Sequence, residues 1–211
     1  MPIALPFVSR SSDATRVALA AVVLAAVVLA GALVGASPAR AVTQFQKSAY
    51  TSIDLKHCET LKVHPDGNAY LCRGLGGTPV YFAEGDGRAF VAAGAKPEAS
   101  RAASQTLKAF NTPFAAQSER ATIEWRFVIR DKRQAPYAMI VRYFTHNDAG
   151  SGEVLVVTRV SGGEACHVAY IDAKANRDAI VLARRIADER ARGFDCRGNA
   201  TVEGERGAGP M

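Results

Sequence analysis

The sequence lacks every compact signature from which a reaction is usually read. It has no G-x-S-x-G elbow to present a serine nucleophile, no phosphate loop ending in Lys-Ser/Thr, no G-x-G-x-x-G turn and no calcium-loop ligand series. The glycine-rich stretches LCRGLGGTP and AEGDGRA therefore read as turns. Cysteine is scarce: Cys58, Cys72, Cys166 and Cys196 form no C-x-x-C pair, and their spacing matches no zinc pattern. A mixed site of His57, Cys58, Cys166 and His167 is opposed by strand alternation, which points adjacent side chains to opposite faces. No metal and no cofactor is expected.

A long uncharged run is present. Arg10 and Arg16 precede an apolar stretch from Val17 to Val34, and small residues follow, ending in Ala39-Arg40-Ala41. A basic start, an apolar helix former and an A-x-A site are what a secretory signal peptide requires. The run exceeds the usual apolar core of a signal peptide, about 7–15 residues, and approaches a membrane-spanning length. Residues 1–41 are thus a signal peptide cleaved after Ala41 or an N-terminal anchor. Both alternatives place the rest outside the cytoplasm: periplasmic or secreted, or tethered to the inner membrane with the domain in the periplasm. Loss of the leader removes three arginines and one aspartate, taking the formal net charge from +6 to +4. A charge of that size requires no nucleic-acid partner.

In an exported chain an even number of cysteines favours disulfides. The turn signal Pro65-Asp66-Gly67-Asn68 folds Cys58 onto Cys72, and a Cys166–Cys196 bridge would pin the last helix to a strand. Each bridge contributes on the order of 3–4 kcal/mol in the chain-entropy model.

Residues 42–198 read as a single α+β domain: antiparallel sheets built from hairpins, with two helices, stapled by the two disulfides. Short strands are expected in SAYTSIDL, NAYLC, PVYFA and RAFVAA, then TIEWRFVIR, PYAMIVRYFT, EVLVVTRV and ACHVAYID. PVYFA-EGDG-RAFVA is the clearest early hairpin. One helix is expected over PEASRAASQTLKAF, where Ala99, Ala102, Ala103, Thr106, Leu107 and Phe110 share a side. The other starts near Asn176 and ends at Gly193, with Ala179, Leu182, Ala183, Ile186 and Ala187 on one stripe and Arg184, Arg185, Glu189 and Arg192 facing away. Residues 199–211 read as a disordered tail.

The segments IEWRF, LVVTRV, ACHVAYIDA and IADERARGFDC resemble small exported proteins of proteobacteria that form an uncharacterised family. The likeness spans most of residues 50–197, implies export and carries over no catalytic residue. AYLCRG followed by hairpin strands also resembles periplasmic inhibitors of hydrolases such as lysozyme, although a charge of +4 suits a basic target poorly.

Arg126, Arg142 and Arg159 lie on three successive strands. In register they would form a row able to hold a carboxylate or phosphate. On that reading their joint replacement by alanine removes ligand binding and leaves the melting temperature unchanged. The competing reading has a helix over this face, with the arginines paired to its acids. Trp125, beside Phe127 on the apolar side of its strand, is expected in the core. Glu124, Glu153, Glu164 and Asp172 are the carboxylates that would have to converge for acid–base work.

Taken together, these features describe an exported periplasmic protein, a non-enzymatic binding or interaction domain. Its partner is a periplasmic protein or a small anionic ligand, with the inner membrane involved only if the leader is retained. The alternative is an exported small-substrate hydrolase with a site assembled from distant residues.

Overall fold

Eleven strands and one α-helix account for most of the residues that the computed structural model describes, 47–161 and 163–211. The candidate leader and the Val17–Val34 run lie outside them. Among the described residues no helix is long and apolar enough to cross a membrane.

The strands are β1 (Lys47–Asp54), β2 (Glu59–His64), β3 (Gly67–Arg73), β4 (Pro79–Gly85), β5 (Arg88–Ala93), β6 (Phe110–Thr112), β7 (Arg120–Arg130), β8 (Arg133–Asn147), β9 (Gly150–Ser161), β10 (Glu164–Asp172) and β11 (Thr201–Glu203). The helix, α1, is Ala179–Arg190. A large sheet has the order β1-β7-β8-β9-β10-β11, with β6 paired to β8 beyond the end of β7, and a small sheet has the order β2-β3-β4-β5. All pairings are antiparallel except β10 with β11.

Alternation along the long strands explains the layering. Ile123 and Trp125 on β7, Met139, Val141 and Tyr143 on β8, and Val154 and Val156 on β9 pack against Val80, Phe82 and Val91 of the small sheet. The intervening residues Ala138, Ile140, Leu155 and Val157 face Ala179, Ala183, Ile186 and Ala187 of α1. The large sheet is therefore buried on both faces, between a sheet and a helix. Trp125 is fully buried, as its alternation predicts, and its indole N–H donates to Thr51 Oγ1 at 2.7 Å. Gly74 is glycine because a Cβ there would lie 2.4 Å from the Trp125 ring. The glycines of LCRGLGGTP thus serve packing and turning.

The expected α+β class with two helices is overturned. The described residues are 53% strand and 17% helical, in two sheets with one helix. Over PEASRAASQTLKAF the chain makes two single 3₁₀ turns, Pro97–Ala99 and Arg101–Ser104, and then enters β6. The physical reason lies in its serines and alanines. Ser100 Oγ donates to Pro97 O at 2.7 Å and Ser104 Oγ to Arg101 O at 3.0 Å, closing tight turns in place of a continuing helix. Ala102, with no bulk to hold a helix away, packs flat on Ala92 and Ala165 across both sheets.

Residues 199–211, read from sequence as a disordered tail, are placed along the sheet instead. Thr201–Glu203 adds β11 beside β10, the Gly207 amide donates to Asp172 Oδ2 at 3.0 Å, and Pro210 O accepts from Thr145 Oγ1 at 2.6 Å. Their polar composition concealed these anchors, which are backbone groups bonded to buried side chains.

Both disulfides, Cys58–Cys72 and Cys166–Cys196, are present, and no cysteine is free. The first ties the entry of β2 to β3; the second ties β10 to the segment after α1. Two bridges fit an oxidising compartment outside the cytoplasm.

Candidate functional site

The three arginines do not form a row. Arg126 and Arg159 both pair in register with Ala138, but Arg142 sits four residues farther along β8, opposite Leu155. The face is also occupied, because α1 packs across it.

Each arginine is engaged within the fold. Arg126, with a side chain only 9% exposed, forms a two-pronged bond to Asp188 of α1 at 2.8 and 2.7 Å. Tyr137 donates to the same carboxylate at 2.6 Å, and Ser48 Oγ lies 2.5 Å from Arg126. Donation to the Asp188 carboxylate raises the pKa of the Arg126 guanidinium above its ordinary value. Burial, with the Asp188 bond added, pushes the Tyr137 phenol up to about 12. Arg142 pairs with Glu153 at 2.5 Å, and Arg159 donates to the Phe194 carbonyl with Glu164 at 3.9 Å. Arg184 does not face away as its place on the helix wheel suggests. It bonds Glu124 of β7 at 2.6 Å.

The four carboxylates stay apart. Glu124 belongs to Arg184 and Ser48, Glu153 to Arg142, and Glu164 lies at the edge beside Arg159. Asp172 accepts the amides of Lys174, Ala175 and Gly207, each at 3.0 Å, and so turns the chain toward α1 while fixing the C-terminal segment. Among the described residues no group of three or more His, Cys, Asp or Glu could hold a metal ion.

Among the clefts of the described residues, two gather groups that bear on function. The first lies at the tips of the small-sheet hairpins, about 390 Å³, and gathers His64, Asp66, Glu84, Asp86, Arg88 and His146. The β4–β5 turn there has Asp86 at φ 51° and Gly87 at φ 66°, the two left-handed residues of a type I′ hairpin. Arg88 bonds Asp86 at 2.6 Å and lies over the Phe110 ring. His64 Nδ1 is 3.3 Å from the Asp66 amide and 3.2 Å from its carboxylate. With its lone pair on Nδ1 the ring accepts from the amide; with hydrogen on Nδ1 it donates to the carboxylate. This pair is open to water, His64 being 52% and Asp66 89% exposed.

The second cleft, about 310 Å³, lies between the segment after the 3₁₀ turns and the C-terminal segment. Leu107, Tyr170, Val202 and Met211 supply apolar surface, and Lys108 and Arg206 supply charge. Behind Tyr170 stands His167, 1% exposed, with Nδ1 3.0 Å from the Tyr170 hydroxyl and Nε2 without a partner. Burial alone drives this imidazole down to about 3. The sequence does not announce this cleft: its residues are scattered from 106 to 211, and four lie in the segment read as a tail.

Compared with models of known protein families, with curated proteins and with solved structures, the chain matches none.

Proposed function

We propose that this chain is an exported, disulfide-framed binding domain of the periplasm, without catalytic activity, that takes a small ligand or a partner at its loop-lined clefts. The observation that supports it most directly is the fate of its reactive groups. Every cysteine is in a disulfide, and the buried charges Arg126 and Glu124 are paired with Asp188 and Arg184 of α1. The two clefts, by contrast, are formed by turns and segment ends on a cross-linked scaffold, the usual division of labour between frame and binding surface.

The hydrolase reading keeps one specific support, the His64–Asp66 pair in the hairpin-tip cleft. Its exposure counts against it. A general base is tuned by burial and neighbours, and the hydroxyl lining this cleft, Thr112, already accepts the Phe114 amide at 3.2 Å.

A thermal-shift panel of anionic, cationic and neutral small molecules, run beside chromogenic ester, phosphate and glycoside substrates, separates the readings. Binding predicts a raised midpoint for at least one ligand class and no turnover. Turnover that disappears in His64→Ala would establish the hydrolase instead.

A further inference from the structure

We propose that the tip of the β7–β8 hairpin, residues 129–134, docks on an anionic lipid surface. Arg130, Lys132 and Arg133 lie against the headgroups, and Ile129 enters between them. The proposal is independent of the clefts; the one at His64 sits at the far end of β8, by His146.

The tip stands clear of the large sheet. β1 accompanies β7 only as far as Phe127, and the β8–β9 pairing begins at Ala138. Among the described residues, 128–130 therefore pair with 133–135 and with no other strand. That overhang carries the turn roughly 10 Å past the start of β1. Residues 130–134 are all exposed, and Ile129 is 48% exposed. The 3₁₀ turn Leu75–Gly77 approaches at Gln134 and brings no charge.

The residues of the tip work against the fold. Arg130 and Arg133 are directly opposite in register, like charges that repel across the ladder. Lys132 holds φ 61°, a left-handed conformation that suits glycine. None of the three cations has an ion pair among the described residues. Asp131 is the one acid within 129–134, so three cations less one acid leave the tip at +2. Of the acids on neighbouring elements, Asp188 is bound to Arg126 and Glu164 lies two strands away beside Arg159. Glu189, in the last turn of α1, is followed three residues on by Arg192, which lies over the Tyr137 ring. Cations kept where ladder and turn both disfavour them answer to a charge outside the molecule.

The chemistry of the tip selects a bilayer. Cations around an exposed aliphatic side chain match headgroup phosphates above hydrocarbon. Single-stranded nucleic acid calls for aromatic stacking surface, and 129–134 contain no aromatic residue. The N-terminal chain also joins at this end, because Lys47 opens β1 opposite Phe127. The apolar run ends at Val34, and residues 35–46 span at most about 40 Å. In the anchored alternative that tether keeps the hairpin within reach of the membrane; in the cleaved one the hairpin itself supplies the contact.

The test is hydrogen–deuterium exchange of the full chain on vesicles of phosphatidylcholine and of an equal mixture with phosphatidylglycerol. Exchange is read segment by segment, so insertion of the N-terminal run does not obscure the hairpin. Exchange over 128–135 should slow on the mixed vesicles and not on phosphatidylcholine. The slowing should vanish at about 0.5 M salt, where the screening length is about 4 Å. It should also vanish in Arg130→Gln/Lys132→Gln/Arg133→Gln, and Ile129→Ser should reduce it. The triple variant relieves cross-strand repulsion and should keep wild-type exchange elsewhere without vesicles, which separates loss of docking from loss of folding. Equal exchange on both vesicles, or slowing that survives in the triple variant, overturns the proposal. Slowing by a single-stranded oligonucleotide but not by mixed vesicles also overturns it, in favour of a nucleic-acid contact.

Discussion

Arg126 shows why a charge that looks like a ligand contact can be structural. Its guanidinium is nearly dry, matched to Asp188 by two parallel bonds, and the same carboxylate takes the Tyr137 hydroxyl. Removing one member of such a pair leaves the other uncompensated, so Arg126→Ala should lower stability by about 3 kcal/mol. A urea-denaturation cycle with Asp188→Ala should show a coupling of roughly 1–3 kcal/mol. A loss below about 0.5 kcal/mol, the range of an ordinary surface change, would mean the pair is not what holds α1 down. His167 makes a second prediction at this scale. Its folded pKa of about 3 lies below the ordinary 6.5, so the folded state binds the proton more weakly than the unfolded state does. That difference costs nothing above pH 6.5, and stability falls by about 1.4 kcal/mol per pH unit between there and about pH 3. From pH 7.5 to 4.5 the wild type should lose roughly 3 kcal/mol more than His167→Gln, which keeps an acceptor and does not titrate. Equal losses in the two proteins would show that the imidazole is not held neutral.

Hairpin geometry carries the prediction at the element scale. The β7–β8 turn places Asp131 at φ 49° and Lys132 at φ 61°, both left-handed, where lysine gains nothing and glycine is at ease. Lys132→Gly should stabilise the protein by about 1 kcal/mol, read as a higher urea midpoint. A lower midpoint would place this turn in another conformation. Elements with strong alternation were legible in the sequence: β7 to β10, the β4–β5 hairpin, the α1 stripe and both cysteine pairings follow from residues such as Ile123, Trp125, Asp86-Gly87 and Ala183. The short strands β6 and β11 were not legible, because three residues carry no period and their pairing is set by distant partners, His146 and Ala169 among them. β2 escaped because every one of its residues is exposed, so it has no apolar face to read. Its Lys62 and its bulge guard an open sheet edge, a function invisible to hydrophobic pattern. The arginine row failed on register. Strand order alone does not say that Arg142 lies one long step from Ala138, and a bulge between Arg126 and Phe127 shifts the pairing again.

For the whole molecule, the two bridges close different parts of the chain. Cys58–Cys72 joins residues 14 apart where the chain crosses from the large sheet to the small one. Cys166–Cys196 joins residues 30 apart and closes the excursion through α1 back onto β10. Loop-closure entropy assigns them about 3 and about 4 kcal/mol, a sum comparable to the entire stability of many domains. Reduction followed by alkylation should therefore lower the melting midpoint by about 15 °C or more, at 2–4 °C per kcal/mol for a chain of this length. The order of loss should follow burial. Cys166 and Cys196 are 0% and 2% exposed, whereas Cys58 is only half-buried, so a mild reductant should open Cys58–Cys72 first. Mass spectrometry of alkylated peptides along a reductant series reads that order, and melting curves on the same samples read the consequence. A fully reduced protein melting within about 3 °C of the oxidised one would show that packing between the sheets suffices by itself. The case for export would then rest on the expectation drawn from the N-terminal sequence alone, since a domain indifferent to its disulfides has no need of an oxidising compartment.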